Sequence, residues 1–332
     1  RTFGIQAQQY SMKIQKFKKI RPYFNNFFWL FSTYLLAPYF YFRIFQETLR
    51  HGSGQGKNAS LKILVIQTGK IGDLVCTTHV FREIKEKFPS AHLTALVLSK
   101  AKGILENNPR IDEIMSITDH ASMGGKLGLL SKLRKEKYDW VFNLLPDSFS
   151  GIVSFWSLAP NRVTTTYKHS GEITKLLSIF NNYRLEYKSH SRLTAHYLNL
   201  LKFIGIKYGS ERKEVFWEEK DEGRVVDFLN KHDLKEDDLL IGISVTTGVR
   251  YKNWGDAKFA ALSDKLIKEL GAKIIFVGGP NDRPAVKKVQ DMMQGDSVNS
   301  AGLFALSSTP ALLKKLRLFI SLDTGPLYIA NA

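Results

Sequence analysis

LKILVIQTGKIGDLVCTTHVFREIKEKFPSAHLTALVL, residues 61–98, reads as a strand, a turn, a helix and a second strand. LKILVIQ (61–67) is a continuous apolar run of the kind buried on both faces of a parallel sheet. TGKIGD (68–73) supplies two glycines for a tight turn. Thr77 to Phe88 then carries an amphipathic helical pattern, and HLTALVL (92–98) returns as a strand. A strand, a crossover helix and a strand make a βα unit, and a series of such units implies an α/β fold.

The alternation continues outward. Ile111 to Ile117 reads as a short third strand, Leu127 to Lys137 as a helix, and Asp139 to Leu145 as a further strand; residues 171–205 read as mostly helical, ending near Gly205. A charged, irregular stretch from Lys207 to about Glu222 separates this half from a second one. There Gly223–His232, Lys258–Leu270, Pro284–Met293 and Pro310–Lys315 read as helices. LLIGISV (239–245), AKIIFVG (272–278) and LRLFISL (316–322) read as buried strands, and Gly271 is placed to cap the helix before the second of them. The pattern predicts two Rossmann-like domains facing across a cleft, 61–215 and 216–332, behind an N-terminal extension and linker, 1–60.

The 332 residues include 48 Lys and Arg against 31 Asp and Glu, a net charge of +17. That excess favours an anionic partner: nucleic acid, an acidic membrane or a phosphorylated substrate. The single cysteine, Cys76, excludes a disulfide scaffold and any cysteine-based structural zinc site. The eight histidines show no metal-ligand spacing, so no metal is expected.

Residues 1–57 hold nine basic side chains against one acid, together with fifteen of the forty aromatic residues. From Pro22 to Phe42 twenty-one consecutive residues are uncharged, PYFNNFFWLFSTYLLAPYFYF. That is about the length of a bilayer span, ~20 residues. Yet aromatic rings outnumber aliphatic side chains, and such rings favour the headgroup interface. The segment is read as an interfacial anchor whose polybasic lead, Lys13 to Arg21, faces anionic lipid. A transmembrane span and a helical arm packed on a partner subunit are the competing readings. GSGQGKNAS (52–60) is a flexible linker, and its Gly56-Lys57 imitates a phosphate loop without the strand that should precede one.

Ligands of open α/β sheets bind outside the carboxyl ends of the strands, so the loops there hold the candidate residues. After the first strand, Asp73 is either a helix cap or a base placed to take a proton from a bound hydroxyl. In VTTGVRYKNW (245–254), Thr246, Thr247 and Gly248 offer hydroxyl and amide donors while Arg250 and Lys252 offer charge, a set suited to a diphosphate. A solvated basic loop over Trp254 is the plainer reading. GGPND (278–282) places Asp282 where a strand-end carboxylate takes ribose hydroxyls, or where a turn simply forms. In SLDTGPLYIANA (321–332), Asp323 or Thr324 caps a helix starting near Pro326, whose amides make an anion site.

Taken in order from about Leu61 to Ala332, these loops resemble those of glycosyltransferase family 9, the lipopolysaccharide heptosyltransferases. KILVIQTGKIGDLVCTTHVFREIKEKFPSAHLTALV resembles the family's opening strand, Gly-Asp turn and helix. IGISVTTGVRYKNW resembles its donor-phosphate loop, with Lys252 and Trp254 at the K-x-W positions; FVGGPND and SLDTGPLYIANA resemble its nucleotide-sugar loops. The resemblance implies a GT-B fold and inverting, metal-independent transfer of heptose from an ADP-sugar, a co-substrate rather than a cofactor, to the lipid A–Kdo core. It implies Asp73 as general base, and Thr246, Thr247 and Lys252 at the donor diphosphate. Asp323, Thr324 and Gly325 would hold the sugar–phosphate end, and Asp282 the ribose. Tyr328 stands where the family has His after DTGP. The family also continues past the helix that DTGP starts, which implies an incomplete second domain.

In the expected acceptor half, Lys100 and Lys102 follow the second strand, and Arg162 follows Ala159-Pro160-Asn161. They are expected at acceptor phosphates or carboxylates, or else as solvated surface. The anchor and the acceptor together place the protein at the cytoplasmic face of the bacterial inner membrane. Charge alone also admits a nucleic-acid-binding protein, which needs basic residues and stacking aromatics spread over one folded face. Here they cluster in an apolar segment, which favours lipid over nucleic acid. A catalytically silent, membrane-tethered nucleotide-sugar binder is the remaining alternative.

Overall fold

The structure, a computed structural model, describes residues 27–46, 48–49 and 60–332. The polybasic lead Lys13–Arg21 and the linker residues 52–59 lie outside the described residues. Helix α1 (27–46) precedes a six-stranded sheet in which every pairing is parallel. Its strands are β1 (Lys62–Gln67), β2 (His92–Leu98), β3 (Glu113–Ile117), β4 (Trp140–Asn143), β5 (Asn161–Thr166) and β6 (Tyr183–Glu186), in the spatial order β3-β2-β1-β4-β5-β6. α2 (Ile71–Val75) and α3 (Thr78–Lys87) follow β1, α4 (Met123–Glu136) follows β3, and α5 (Ser148–Trp156), α6 (Glu172–Ser178) and α7 (Leu193–Leu200) follow β4, β5 and β6.

Successive side chains of a strand point to opposite faces, and here both faces are covered. Ile63 and Val65 share a core with Val80, Phe81 and Ile84 of α3 and with Tyr197 and Leu200 of α7. Leu64 and Ile66 share the opposite core with Leu130 and Leu133 of α4 and Ile152 and Phe155 of α5.

α8 (Glu219–Lys231) opens the second unit. Its strands β7 (Leu240–Ser244), β8 (Lys273–Phe276), β9 (Ser297–Asn299) and β10 (Leu318–Ser321) form a parallel sheet in the order β10-β7-β8-β9. α9 (Asp256–Leu270), α10 (Arg283–Gln290), α11 (Thr309–Lys315) and α12 (Gly325–Ala330) follow β7, β8, β9 and β10. Ile241, Ile243, Ile274 and Phe276 pack with Phe259 of α9 and Val286 of α10. Leu240 and Ile275 face the other way, into a core with Phe228 of α8 and Leu312 of α11. Gly271 ends α9 in the left-handed conformation, φ 63°, as its sequence position predicts.

α1 completes the first unit. Trp29, Thr33, Ala37, Phe40 and Ile44 recur three or four residues apart and are buried. They dock on α5: the Trp29 and Trp156 rings lie 5.6 Å apart, the Phe40 and Phe155 rings 5.6 Å apart, and Trp156 Nε1–H donates to Thr33 Oγ1 at 2.9 Å. The opposite face is exposed, with Phe31 at 59%, Leu35 at 67% and Phe42 at 58%. No helix among the described residues is long and apolar enough to cross a membrane. One face of the helix is occupied by its own chain, and residues 22–26 of the uncharged segment lie outside the described residues.

The stretch 171–205, expected to be mostly helical and to end near Gly205, does end there but is interrupted by a strand. α6 and α7 are separated by β6, a four-residue edge strand, YRLE, too short and too polar to announce itself. β5, NRVTTT, is likewise a strand that the sequence reading did not assign, although its β-branched run Val163–Thr166 is a strand signal.

Candidate active site

The strand order reverses between β1 and β4 in the first sheet and between β7 and β10 in the second. Loops leave in opposite directions at such points and a crevice opens between them. Here both crevices contribute to one cleft of about 580 Å³. The turn after β1 supplies Lys70, Ile71, Gly72 and Asp73, and β2 is followed by Lys100. The second unit supplies Thr247, Gly248, Val249 and Lys252 after β7, and Asp323, Thr324, Gly325 and Tyr328 after β10.

Asp73 closes its turn and also faces the cleft. It is the third residue of α2, and its Oδ2 accepts the Lys70 amide N–H at 3.0 Å, closing the turn, while the side chain lines the cleft. Gly69 is required by close approach: a Cβ there would lie 2.7 Å from Leu145 and 2.8 Å from Asp73 Cβ. Gln67, fully buried, braces the turn by accepting from Gly69 N–H at 3.2 Å and donating to the Tyr197 hydroxyl at 3.1 Å. Sequence reasoning missed Gln67. Its signal was a polar residue closing an otherwise apolar buried strand.

Across the cleft, Asp323 forms an ion pair with Lys252 and accepts from the Tyr328 hydroxyl at 3.0 Å. The bonds from Lys252 and Tyr328 hold the Asp323 carboxyl below the usual carboxylate range, and the same pair raises Lys252. Burial, then the bond to Asp323, pushes Tyr328 up to about 12. The Thr247 hydroxyl donates to the Asp323 carbonyl at 3.4 Å, tying the two loops together. Thr324 occupies the N-cap position of α12 but makes no side-chain cap bond.

The structure thus brings Asp73, Lys100, Thr247, Lys252, Asp323, Thr324 and Gly325 into one cleft. It does not bring Thr246, Asp282 or Lys102 into the lining. Asp282 accepts from Gly279 N–H at 2.7 Å, as a turn residue does, and Lys102 pairs with Glu106 at 3.5 Å. Lys100 is paired with Asp119 at 2.7 Å. Arg162 is a correction. It is 2% exposed, and its guanidinium donates to the carbonyls of Phe180, at 2.8 Å, and Ala159. It is a core residue and not a surface contact for an acceptor. Cys76 is buried, and burial raises its thiol, consistent with a packing role.

Comparison with known proteins gives a consistent picture. Glycosyltransferase family 9 (heptosyltransferase) matches residues 127–332. Lipopolysaccharide heptosyltransferase 1 of Campylobacter coli is 26% identical over 286 residues, 82% of this chain and 81% of the relative. Lipopolysaccharide heptosyltransferase 2 of Escherichia coli is 23% identical, covering 82% of this chain and 80% of its own length. The crystal structure of a family 9 glycosyl transferase from Veillonella parvula superposes with TM-score 0.72 at 25% identity, over 81% of this chain and 77% of the other. Escherichia coli ADP-heptose lipopolysaccharide heptosyltransferase II superposes with TM-score 0.67 at 18% identity, over 81% of each chain.

Proposed function

The chain belongs to glycosyltransferase family 9, the heptosyltransferases, with the GT-B architecture, and on that premise we propose that it moves a heptose from an ADP-sugar to an acceptor of the lipopolysaccharide core. The observation that carries this reading is that Asp73, from the first unit, shares one cleft with Lys252, Asp323 and Thr324 of the second. The first unit then holds the acceptor and the second the donor.

In this reading the acceptor oxygen bonds to the anomeric carbon as that carbon's bond to the diphosphate breaks, and Asp73 takes the acceptor's hydroxyl proton. Attack from the face opposite the leaving group inverts the anomeric centre. The departing ADP gathers negative charge, which the Lys252 ammonium and the Thr247 hydroxyl meet without a metal ion. Lys252 is held by Asp323 in this structure, so the diphosphate displaces Asp323 from the ammonium, and Asp323, Thr324 and Gly325 turn to the sugar–phosphate end.

The exposed aromatic face of α1 lies in a membrane interface in this reading, with Lys13–Arg21 toward anionic lipid, at the cytoplasmic face of the inner membrane. The test is ADP release from ADP-heptose with a lipid A–Kdo acceptor, for the parent and for Asp73→Asn. Asn can still accept from Lys70 N–H, so the turn survives while the base is lost. Turnover is expected to fall about 10²- to 10⁴-fold with ADP affinity retained. Equal turnover in both proteins reduces Asp73 to a helix cap; a parent that binds ADP without turnover is a silent binder.

A further inference from the structure

β1 closes on a polar residue set into an apolar core. Ile63, Val65 and Gln67 alternate onto the face that α3 and α7 cover. Gln67 is fully buried, and a buried amide costs free energy unless its donor and its acceptor are bonded. Here both are bonded: Oε1 accepts from Gly69 N–H at 3.2 Å, and Nε2 donates to the Tyr197 hydroxyl at 3.1 Å. An apolar side chain would suit the core and leave the amide of buried Gly69 without its acceptor.

Tyr197 gives that relay a fixed end. It is fully buried on α7, in the core that holds Val80 and Phe81 of α3. α7 is tied on two sides at this point. His79 of α3 donates from Nε2 to the Thr194 carbonyl at 3.1 Å. His196 Nε2 lies 3.1 Å from the Thr165 hydroxyl of β5, which donates its own proton to the Leu144 carbonyl at 2.8 Å and so accepts from the imidazole.

The other end of the relay is the turn that carries Asp73. Side chains hold two of its amides: Gln67 accepts from Gly69 N–H, and Asp73 Oδ2 accepts from Lys70 N–H at 3.0 Å. The carboxylate rests on Gly69, where a Cβ would lie 2.8 Å from Asp73 Cβ and 2.9 Å from Oδ2. Rotation of the Gly69 peptide therefore moves the surface beneath the carboxylate. Asp73 Oδ1 has no hydrogen-bond partner among the described residues, which leaves it for a ligand's proton.

Tyr167, after β5, stands beside the relay, its hydroxyl buried with no hydrogen-bond partner among the described residues. Burial, then the charge of Asp73, pushes Tyr167 up to about 12; burial, then Tyr167, raises Tyr197. Both phenols stay neutral at physiological pH and do not compete with Asp73 for a proton.

We propose that Gln67 and Tyr197 are positioning residues for glycosyl transfer: the relay from the Tyr197 hydroxyl through the Gln67 amide to Gly69 N–H holds the turn so that Asp73 meets the acceptor hydroxyl. The inference rests on the glycosyl-transfer reading and deepens it, since neither side chain lines the cleft.

The variants are Gln67→Met, which keeps the length and loses the amide, and Tyr197→Phe, which loses one oxygen. Each is made in the parent and in Asp73→Asn, and ADP release from ADP-heptose with a lipid A–Kdo acceptor is followed below the melting temperature of every variant. Gln67→Met is expected to lower kcat about 10- to 100-fold, as a small misplacement of a reacting group does. Tyr197→Phe lowers it by a smaller factor, and both leave the KM of donor and acceptor unchanged. In Asp73→Asn neither substitution lowers the residual kcat further, because the group they place is already gone. Should Gln67→Met fail to fold, Tyr197→Phe decides alone. Parental kcat in the single variants, or the same fold-loss with and without Asp73, overturns the relay and leaves the transfer reading standing. A parent that binds ADP and releases none from ADP-heptose, or an Asp73→Asn variant as fast as the parent, overturns the reading beneath, and the relay with it.

Discussion

The ring of Tyr328 rests against Gly72 across the cleft, so close that a Cβ at Gly72 would stand 2.7 Å from it. The same tyrosine donates its hydroxyl to Asp323 at 3.0 Å. One side chain of the second unit therefore touches the turn that carries Asp73 and fixes the carboxylate that holds Lys252.

Gly72→Ala should force α2 and α12 apart. Overpacking of this kind costs about 1–3 kcal/mol, and turnover should fall more than stability because the displaced residues line the cleft. Tyr328→Phe keeps the ring and loses only the hydroxyl, so its effect should be a smaller fall in turnover with little change in melting temperature. Steady-state kinetics beside thermal melts check both; parent-like kinetics for the alanine variant would show that the contact has no functional weight.

Stability should fall on acidification through two buried imidazoles. Burial holds His79 and His196 at about 4, below the ordinary value of 6.5. Between those values the unfolded chain binds more protons than the folded one, so stability is full above about pH 6.5 and drains as pH falls towards 4. For His79 the full loss is about 3 kcal/mol. His79 Nε2 is 3.1 Å from the Thr194 carbonyl. His79→Gln can keep a donor there while removing its titration, and should reduce the fall in melting temperature between pH 7 and 5, with His196 supplying what remains.

Arg162→Met should unfold the first unit more readily without touching acceptor recognition. The substitution leaves the carbonyls of Phe180 and Ala159 without their donor, and a buried acceptor left unsatisfied costs about 1–3 kcal/mol. The expected result is a lower denaturation midpoint with an unchanged acceptor KM. A raised KM at parental stability would return Arg162 to the acceptor.

The exposed face of α1 should govern vesicle binding and not folding. Phe31→Ser/Leu35→Ser/Phe42→Ser removes side chains that are more than half exposed. Co-sedimentation with anionic phospholipid vesicles should drop severalfold while the melting temperature holds. A drop in melting temperature instead would mean that this face packs against the protein.

Much of the fold was legible because parallel strands buried on both faces leave long apolar runs. LKILVIQ, HLTALVL and LLIGISV all became strands, β1, β2 and β7. β6 escaped notice, since an edge strand of four residues with alternating exposure carries little periodic signal. Gln67 and Tyr167 escaped as well, because a polar side chain at a strand end gains meaning only from what the neighbouring strands place beside it.

Asp73 and Asp282 mark where sequence ends and tertiary structure begins. Each follows a glycine turn after a buried strand and accepts an amide N–H three residues back, Lys70 at 3.0 Å and Gly279 at 2.7 Å. Each lies 2.9 Å, through Oδ2, from where a Cβ would stand on the preceding Gly69 or Gly278. The local chemistry of both turns was determined by the residues themselves. Only the strand order separates them: β1 borders a reversal in its sheet and β8 does not, so only Asp73 lines the cleft. α1 repeats the lesson. Its sequence set an aromatic helix apolar on every side, and Trp156, Phe155 and Phe180 of the folded unit chose which face to bury, since packing depends on the complementary surface and not on the helix alone.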